Sequence, residues 1–185
     1  GAVMPGQPGV SIGCDNFGGG RLAGAHLAEL GRRRVAFLGD ASEHYPEFLD
    51  RFAGCDAALR EAGGDGLDRA LQVDAESAEH CGYAAGMELL ERGLTFDAVF
   101  AASDLIAIGA MQAFRERGLR IPGDVAVVGF DDIPAARIAS PTLTTVVQDT
   151  IRAGELLVDA LVRLIAGETA ESVRMPASLV VREAT

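Results

Sequence analysis

Short runs of mainly apolar residues alternate with longer amphipathic stretches along most of this chain. Such runs are typical of strands covered on both faces of a sheet, and they predict buried strands at residues 10–14, 35–38, 70–73, 97–102 and 125–128. Apolar residues at helical spacing predict helices between them, among others at 47–62 and 104–114. This alternation predicts an α/β fold, here a doubly wound, mostly parallel sheet with helices on both faces.

Two carboxylates follow the apolar run 125–128 after Gly129 and Phe130. In open parallel α/β sheets, ligands bind beyond the carboxyl ends of the strands, so Asp131 is expected to accept hydrogen bonds from a hydroxyl or an amine. Asp is also a favoured N-cap, and Asp131 and Asp132 could simply cap the short helix predicted from residue 133. The local pattern leaves both interpretations open, and each could hold for one Asp.

Arg51 lies in the first turns of the helix predicted at 47–62, one position off its apolar stripe. A solvated surface side chain is the commoner explanation for any single Arg. The position directly after a βα loop nevertheless favours the same crevice as Asp131, because such loops gather at one edge of a parallel sheet.

Composition narrows the possible functions. The 185 residues are 49% hydrophobic, which is enough for one good core, and no apolar run is long enough to span a bilayer. The net charge is −11 and all 16 basic residues are Arg, which argues against direct binding of DNA or an anionic membrane. The three cysteines lack metal-ligand spacing, so we interpret them as reduced thiols of a cytoplasmic protein without structural zinc.

Enzymatic chemistry finds little support in the motifs. The turn Gly18–Gly20 between a strand and a helix invites a phosphate-binding interpretation, but it lacks both glycine-rich phosphate-binding fingerprints, and a tight turn with close helix packing is favoured. No nucleophile elbow occurs, and no His lies near a carboxylate in the motifs. We therefore expect no catalytic residues, no metal and no cofactor.

Several stretches occur in a fixed order along the chain. They are CDNFGGG (14–20), HLAELGRRRVAF (26–37), RFAG (51–54), VFAASD (99–104), AIGA (107–110), DVAVVGFDD (124–132) and PTLTTVVQD (141–149). Together they resemble the regulatory domain of the LacI/GalR family of bacterial transcriptional repressors. The resemblance covers nearly the whole chain after residue 9.

That resemblance implies a periplasmic-binding-protein-like domain, in which crossover strands join two α/β lobes around a small effector. It implies the C-terminal lobe with crossover strands at 10–149, a helical segment returning to the N-terminal lobe at 150–177, and a final strand and tail at 178–185. Residues 1–9, with three Gly and two Pro and no strand or capping signal, are predicted to be a linker or cut end. In the family, an N-terminal helix-turn-helix and a hinge helix bind the operator. Neither is expected here, so DNA binding would occur only through a headpiece absent from this chain.

The resemblance also assigns roles to single residues. Asp131 matches the family's effector-binding aspartate, and Arg51 matches an arginine that often contacts the effector. An Arg/Asp pair suits a polyhydroxyl ligand, because the guanidinium supplies several donors in a fixed fork and the carboxylate accepts from two adjacent hydroxyls.

Four further positions are candidate ligand contacts. Ser103 stands where some sugar-responsive members have Asn, which implies a different ligand shape. Asp15 lies at the first crossover, while Gln148 and Thr150 lie at the second. Some relatives have an aromatic that stacks on the sugar at the position of Thr150, and Thr150 offers no such ring.

A homodimer is expected as well. Ile106 and Ile108 cannot share one face of a helix, which predicts that part of this helix lies in a subunit interface. The resemblance adds 78–87 and 137–139 to the dimer surface. The candidate interface residues are Ile106, Ile108, Met111 and Ala139.

The predicted function is the effector-binding and dimerisation portion of a LacI-type regulator. It would sense a small polar ligand such as a sugar and control operator binding allosterically, without any membrane partner. The alternative is a solute-binding protein of a sugar transport system. That protein would share the fold, but it would need an export leader and would usually be monomeric.

Overall fold

The computed structural model describes residues 10–185 as an α/β protein with eight strands and six α-helices. The strands are β1 (Ile12–Cys14), β2 (Val35–Leu38), β3 (Gln72–Val73), β4 (Ala98–Ala101), β5 (Ala126–Asp131), β6 (Thr144–Val147), β7 (Val173–Met175) and β8 (Ser178–Val180). The helices are α1 (Asn16–Glu29), α2 (Pro46–Glu61), α3 (Glu79–Glu91), α4 (Asp104–Glu116), α5 (Pro134–Ile138) and α6 (Thr150–Ile165). The predicted linker or cut end at 1–9 lies outside the described residues.

Six strands form the main sheet in the order β3-β2-β4-β5-β6-β8. Every neighbouring pair from β3 to β6 is parallel, and only β8 runs antiparallel, alongside β6. The predicted α/β fold with a mostly parallel sheet is therefore confirmed. Because the sheet is parallel, the carboxyl ends of β2, β4 and β5 meet at one edge.

Helices cover both faces of this sheet. Phe130 on β5 lies under α1, where a Cβ at Gly19 would meet its ring, while the neighbouring Gly129 faces Asp104 of α4. The pair α1 and α2 thus packs on one face, and the pair α3 and α4 packs on the other. The central strands β2 and β4 are buried at every residue, as the unbroken apolar runs predict.

Glycines allow the helices of each pair to approach closely. In α2, a Cβ at Gly54 would collide with the carbonyl of Phe17 in α1. In α4, a Cβ at Gly109 would collide with the carbonyl of Glu79 and the amide of Tyr83 in α3. These close contacts between backbones leave no room for even a methyl group.

The structure differs from the predicted strands in three places. The strand expected at 70–73 is a single 3-10 turn, Arg69–Leu71, followed by the two-residue β3. Strand β5 does not end at Gly129 but continues to Asp131, because Gly129 pairs in register with Thr145. The strand β7 was not predicted, since its alternation of apolar and polar residues spans only three positions, too few to indicate a strand.

Strands β1 and β7 form a separate, parallel two-stranded sheet that α6 contacts. Many apolar side chains of α6 are exposed, namely Ile151, Leu157, Val158, Leu161, Val162, Leu164 and Ile165. This arrangement sets the segment apart from the main sheet. The return of 150–177 to a second lobe stays a prediction.

Two of the four predicted dimer contacts lie inside the protomer. Ile106 is 0% exposed and Met111 is 2% exposed, so a partner subunit cannot reach either side chain, and their assignment to the interface is wrong. The physical reason is that α4 is covered twice, by β5 on one side and by α3 on the other, so it needs apolar residues on both sides. Ile108 and Ala139 keep partly exposed side chains, and their assignment stays a prediction.

Replacing Gly109 should destabilise the fold because of the close contact between α3 and α4. We expect Gly109→Ala to lower the free energy of unfolding by about 1–3 kcal/mol, since the added methyl forces the helices apart. The matched control is Gly154→Ala in α6, where a Cβ meets nothing within 4 Å. The control should be neutral or stabilising by about 0.5–1 kcal/mol. Urea unfolding of both variants measures the difference, and equal stabilities would contradict the close packing.

Candidate functional site

Arg51 lies below an open cavity at the carboxyl edge of the main sheet, and its side chain is held from several sides. Its Nε donates to Oδ1 of Asn16 over 2.9 Å, and its Nη1 donates to the carbonyl of Ala102 over 2.5 Å. The guanidinium also lies over the ring of Phe130, 3.7 Å from its centroid. The residue is 5% exposed, so it is not the solvated surface Arg that is the commoner case.

Asp131 ends β5 next to this arginine. Its Oδ1 lies 3.7 Å from Nη2 of Arg51 and accepts a hydrogen bond of 2.6 Å from Nε2 of Gln148. Burial raises the pKa of Asp131 above its ordinary value, while the charge of Arg51 and the bond from Gln148 oppose the rise. Burial lowers the pKa of Arg51, and the charge of Asp131 opposes that fall. The structure thus brings together three of the predicted contacts, Arg51, Asp131 and Gln148.

Asp132 has a different role from Asp131. Its carboxylate accepts from Arg137 over 2.7 Å and from Arg182 over 2.6 Å, and its side chain is 7% exposed. These bonds tie the end of β5 to α5 and to the chain segment that follows β8. Among the described residues, no side chain caps α5. The interpretation of Asp131 and Asp132 as caps of the following helix is therefore wrong.

The cavity above Arg51 has a volume of about 510 Å³. Its walls include the carboxyl end of β1, the first turns of α2, Gln148, and the end of the chain segment that leads into β7; the polar lining residues are Ser11, Asn16, Glu47, Asp50, Arg51, Gln148, Ser172 and Arg174. Gln148 also borders a neighbouring cavity of about 370 Å³, together with Asp131 and Thr150. The cavity is thus lined by both hydrogen-bond donors and acceptors, and it is large enough for a small polar molecule.

Ser103 and Asp15 are used as helix caps. Ser103 caps α4 by accepting from the amide of Ile106 over 3.4 Å, and it also accepts from the hydroxyl of Ser77 over 2.8 Å. Ser103 is only 1% exposed, so its side chain cannot reach a ligand in the cavity. The prediction that Ser103 contacts the ligand is therefore wrong. Asp15 caps α1 through the amide of Gly18 over 3.0 Å. Thr150 is exposed at the first turn of α6.

Six of the eight polar lining residues escaped the sequence analysis, and helical spacing could have found one of them, Glu47. Glu47 and Asp50 precede Arg51 by four residues and by one, at the start of α2. Once Arg51 is placed in the crevice, a residue four positions earlier lies on the same face of the helix. Asn16 could have been found as the residue that directly follows Asp15 after β1. Its amide oxygen accepts from Arg51.

A third carboxylate, Asp104, lies directly beneath the turn that carries Asp131. The residue is 0% exposed, and its Oδ1 accepts from the hydroxyl of Thr145 over 2.5 Å while its Oδ2 accepts from the amide of Ile133 over 2.9 Å. Burial raises the pKa of Asp104 to about 7, against the effect of these two hydrogen bonds, and the nearby charges of Asp131 and Asp132 add to the rise. Sequence analysis missed this residue because an Asp directly after a Ser at a helix start is an ordinary capping pattern.

In residues 10–185, no group of three His, Cys, Asp or Glu side chains is arranged to hold a metal ion. The polar groups around the cavity are instead amides, carboxylates, hydroxyls and the guanidinium groups of Arg51 and Arg174. A parallel sheet whose strand ends carry such groups around an open cavity is the arrangement typical of lobes that bind small polar molecules.

Comparison with known proteins gives the family. Residues 25–185 match the family described as periplasmic binding protein-like domain. The chain belongs to this family, in the group found in LacI/GalR-type regulators. The predicted resemblance is therefore confirmed.

Members of this family resemble the chain in both sequence and fold. The transcriptional regulator CelR of Thermobifida fusca is 42% identical over 91% of this chain and 50% of its own length, and the ribose operon repressor of Escherichia coli K12 is 33% identical over 89% and 49%. A solved complex of CelR with cellobiose superposes with a TM-score of 0.89 at 40% identity, covering 98% of this chain and 56% of the other. A LacI-family regulatory protein of Chloroflexus aggregans has a TM-score of 0.90 at 30% identity, covering 100% and 66%. The chain thus spans about half the length of these curated relatives.

The pKa of Asp104 predicts a particular dependence of stability on pH. Its folded value of about 7 lies above the ordinary 3.8, so between these values the folded state keeps a proton that the unfolded state has lost. The free energy of unfolding should therefore fall as pH rises from 4 to 7, by at most about 1.4 kcal/mol per pH unit from this group. Asp104→Asn removes this contribution, which urea unfolding at several pH values will measure.

The matched control for this experiment is Asp124→Asn. Its partner Arg120 holds the pKa of Asp124 at about 2, so Asp124 contributes stability that is lost only as pH falls below the ordinary 3.8. Between pH 4 and 7, the control should keep the slope of the parent chain. An unchanged slope in Asp104→Asn would contradict the raised pKa.

Proposed function

We propose that this chain is the effector-binding portion of a LacI-type transcriptional regulator and that its effector is a sugar. One observation carries the proposal: the guanidinium of Arg51 is held 3.7 Å from the carboxylate of Asp131 at the carboxyl edge of the sheet, with Gln148 bound to the same carboxylate. CelR, which has been solved with cellobiose, and the ribose operon repressor support a sugar as the ligand class.

The chemistry of the site fits a polyhydroxyl ligand. A carboxylate at Asp131 accepts from two adjacent hydroxyls, and Nη2 of Arg51 is available to donate to a ring or hydroxyl oxygen. Glu47 and Asp50 supply further acceptors on the same side of the cavity. Because Asn16 and Ala102 already fix Arg51, binding a ligand costs little ordering of this side chain.

Regulation would act through a second lobe and a headpiece outside this chain. An effector that contacts both lobes stabilises one arrangement of the lobes over another, which changes the affinity for the operator. The net charge of −11 supports DNA binding by the headpiece alone. We assign the protein to the cytoplasm, where the operator is. Among residues 10–185, no helix is long and apolar enough to cross a membrane.

We propose a homodimer, formed through the surface around α5. Ile138 in α5 is 85% exposed, more than any other large apolar side chain in residues 10–185, and the predicted contacts Ile108 and Ala139 keep exposed area. Dimeric forms of the Lac repressor, which superpose with a TM-score of 0.84, support this assembly.

The alternative function, a solute-binding protein for sugar transport, is not favoured, because the curated relatives are transcriptional regulators. The same relatives give no reason to propose an enzyme. We assign no catalytic residue and no cofactor.

Binding of a sugar tests the proposed effector site. Saturation-transfer NMR of the 185-residue chain against cellobiose, ribose and other mono- and disaccharides should detect transfer to at least one sugar. Asp131→Asn keeps the shape but loses the charge-assisted bonds, so it should weaken that binding by about tenfold or more. Asp124→Asn, which alters a partly exposed carboxylate paired with Arg120, is the control. No binding of any sugar, or equal binding by both variants, would contradict the proposal.

The dimer surface can be tested separately. Ile138→Asp introduces a charge into the proposed interface and should raise the dimer dissociation constant by about tenfold or more, as measured by sedimentation. Ile165→Asp alters a side chain that is 79% exposed on α6 and serves as the control, which should leave the dimer intact. Dissociation in the control but not in Ile138→Asp would assign the interface to α6 instead.

A further inference from the structure

We propose that Asp104 is a positioning residue: its buried carboxylate holds the Asp131–Asp132 turn and thereby keeps the carboxylate of Asp131 beside Arg51, at the border of the cavity of about 370 Å³. The inference rests on the proposed function only in that Asp131 is taken as a ligand contact. Asp104 itself touches no ligand, because it is 0% exposed beneath the turn.

Two hydrogen bonds connect Asp104 to the turn and to the neighbouring strand β6. Its Oδ2 accepts from the amide of Ile133, the first residue after the two aspartates, over 2.9 Å. Its Oδ1 accepts from the hydroxyl of Thr145 on β6 over 2.5 Å, and the same hydroxyl oxygen lies 3.4 Å from the amide of Asp132. One carboxylate at the start of α4 thus fixes the turn against the neighbouring strand.

The turn needs such a constraint because its backbone is strained. Asp131 has φ 113° and Asp132 has φ 51°, values that residues with a side chain rarely adopt. Backbones of this kind persist only where the surroundings enforce them, and they cluster at ligand sites and switch regions. If the amide of Ile133 lost its acceptor, the turn could relax and carry the carboxylate of Asp131 away from Arg51.

Gly129 leaves the space that the carboxylate of Asp104 occupies. Any side chain there would collide with Oδ1 of Asp104, as well as with Leu143. The glycine that interrupts the apolar run of β5 is therefore explained by the carboxylate behind it. It lets α4 bring Asp104 directly against the strand that carries Asp131.

The charges around Asp104 indicate more than a structural role. Asp131 and Asp132 face it from the turn, and Arg51 faces it from α2. The charge of Asp132 is matched by Arg137 and Arg182, whereas no cation in residues 10–185 forms an ion pair with Asp104. A buried carboxylate without an ion pair is costly, and such groups are enriched at functional sites.

Two protonation states of Asp104 satisfy the same contacts. The charged form accepts from both Thr145 and Ile133, while the protonated form can donate to Thr145 and still accept from Ile133. The hydroxyl of Thr145 can then turn to the carbonyl of Val146, 3.4 Å away. Since the pKa of Asp104 is about 7, both forms are present near neutral pH, and the change of charge should reach Asp131.

Amide resonances test the inference without any ligand. In ¹⁵N-labelled chain titrated from pH 5 to 9, we expect the Ile133 amide and the side-chain amide of Gln148, which donates to Asp131, to shift together with a midpoint near 7. Asp104→Asn retains an acceptor for Ile133 and a donor for Thr145, so it should stay folded and lose this step in both signals. A Gln148 signal without the step in the parent chain, or with the step retained in Asp104→Asn, would overturn the proposal.

Thr145→Val provides the second variant. It keeps the volume of the side chain but removes the hydroxyl that donates to the charged form of Asp104, so the shared midpoint should rise by about one pH unit. A merely structural role for Asp104 would leave Gln148 unaffected by this change. If the midpoint of Ile133 rises while Gln148 does not move, the link to Asp131 is absent.

The two proposals can fail independently. Loss of the shared titration step would remove the role of Asp104 and leave sugar binding by Arg51 and Asp131 untouched. Conversely, sugar binding that survives in Asp131→Asn would overturn the effector site, while the titration of Ile133 and Gln148 would still report the coupling.

Discussion

The buried guanidinium of Arg51 is the contact on which the candidate site depends. It joins three separate parts of the chain: Asn16 after β1, the carbonyl of Ala102 after β4, and the ring of Phe130 in β5. Asn16 and Ala102 accept hydrogen bonds from two nitrogens of the guanidinium, and the ring of Phe130 faces its charge, so each partner offsets part of the cost of burying the arginine. The fold therefore orders the site before a ligand arrives, and Nη2 of Arg51 and the carboxylate of Asp131 become a fixed pair between the cavity above Arg51 and its neighbour.

The sequence alone predicted the frame of this arrangement well. Unbroken apolar runs identified β2, β4 and β5, because strands buried on both faces leave little choice of residue. Arg51 and Asp131 could be placed at one edge, since the carboxyl ends of parallel strands meet there. Short or polar elements such as β7 and the 3-10 turn at Arg69–Leu71 left no such pattern, because their positions depend on contacts made elsewhere in the chain.

The errors in the predicted site share a physical cause. Sequence position indicates which residues lie near a strand end, but not which way a side chain turns. Ser103 follows β4 as expected, yet its hydroxyl is consumed in capping α4. Ile106 was assigned to a subunit interface because a surface helix needs only one apolar face. In the structure α4 is covered by α3 as well as by β5, which the sequence of the helix alone does not show. Asp104 resembled a plain helix-start residue, and only the assembled structure reveals the turn above it.

The last residues of the chain are built into the same region. Arg182 donates to Asp132 and to the carbonyl of Leu143, and the carbonyl of Ala184 accepts from the amide of Val127 in β5. The turn that presents Asp131 is thus braced by a segment fifty residues further along the sequence. A chimaera that exchanges ligand preference between related lobes would have to transplant β5, β6, the start of α4 and the stretch 178–185 as one block, because hydrogen bonds join all four at this turn.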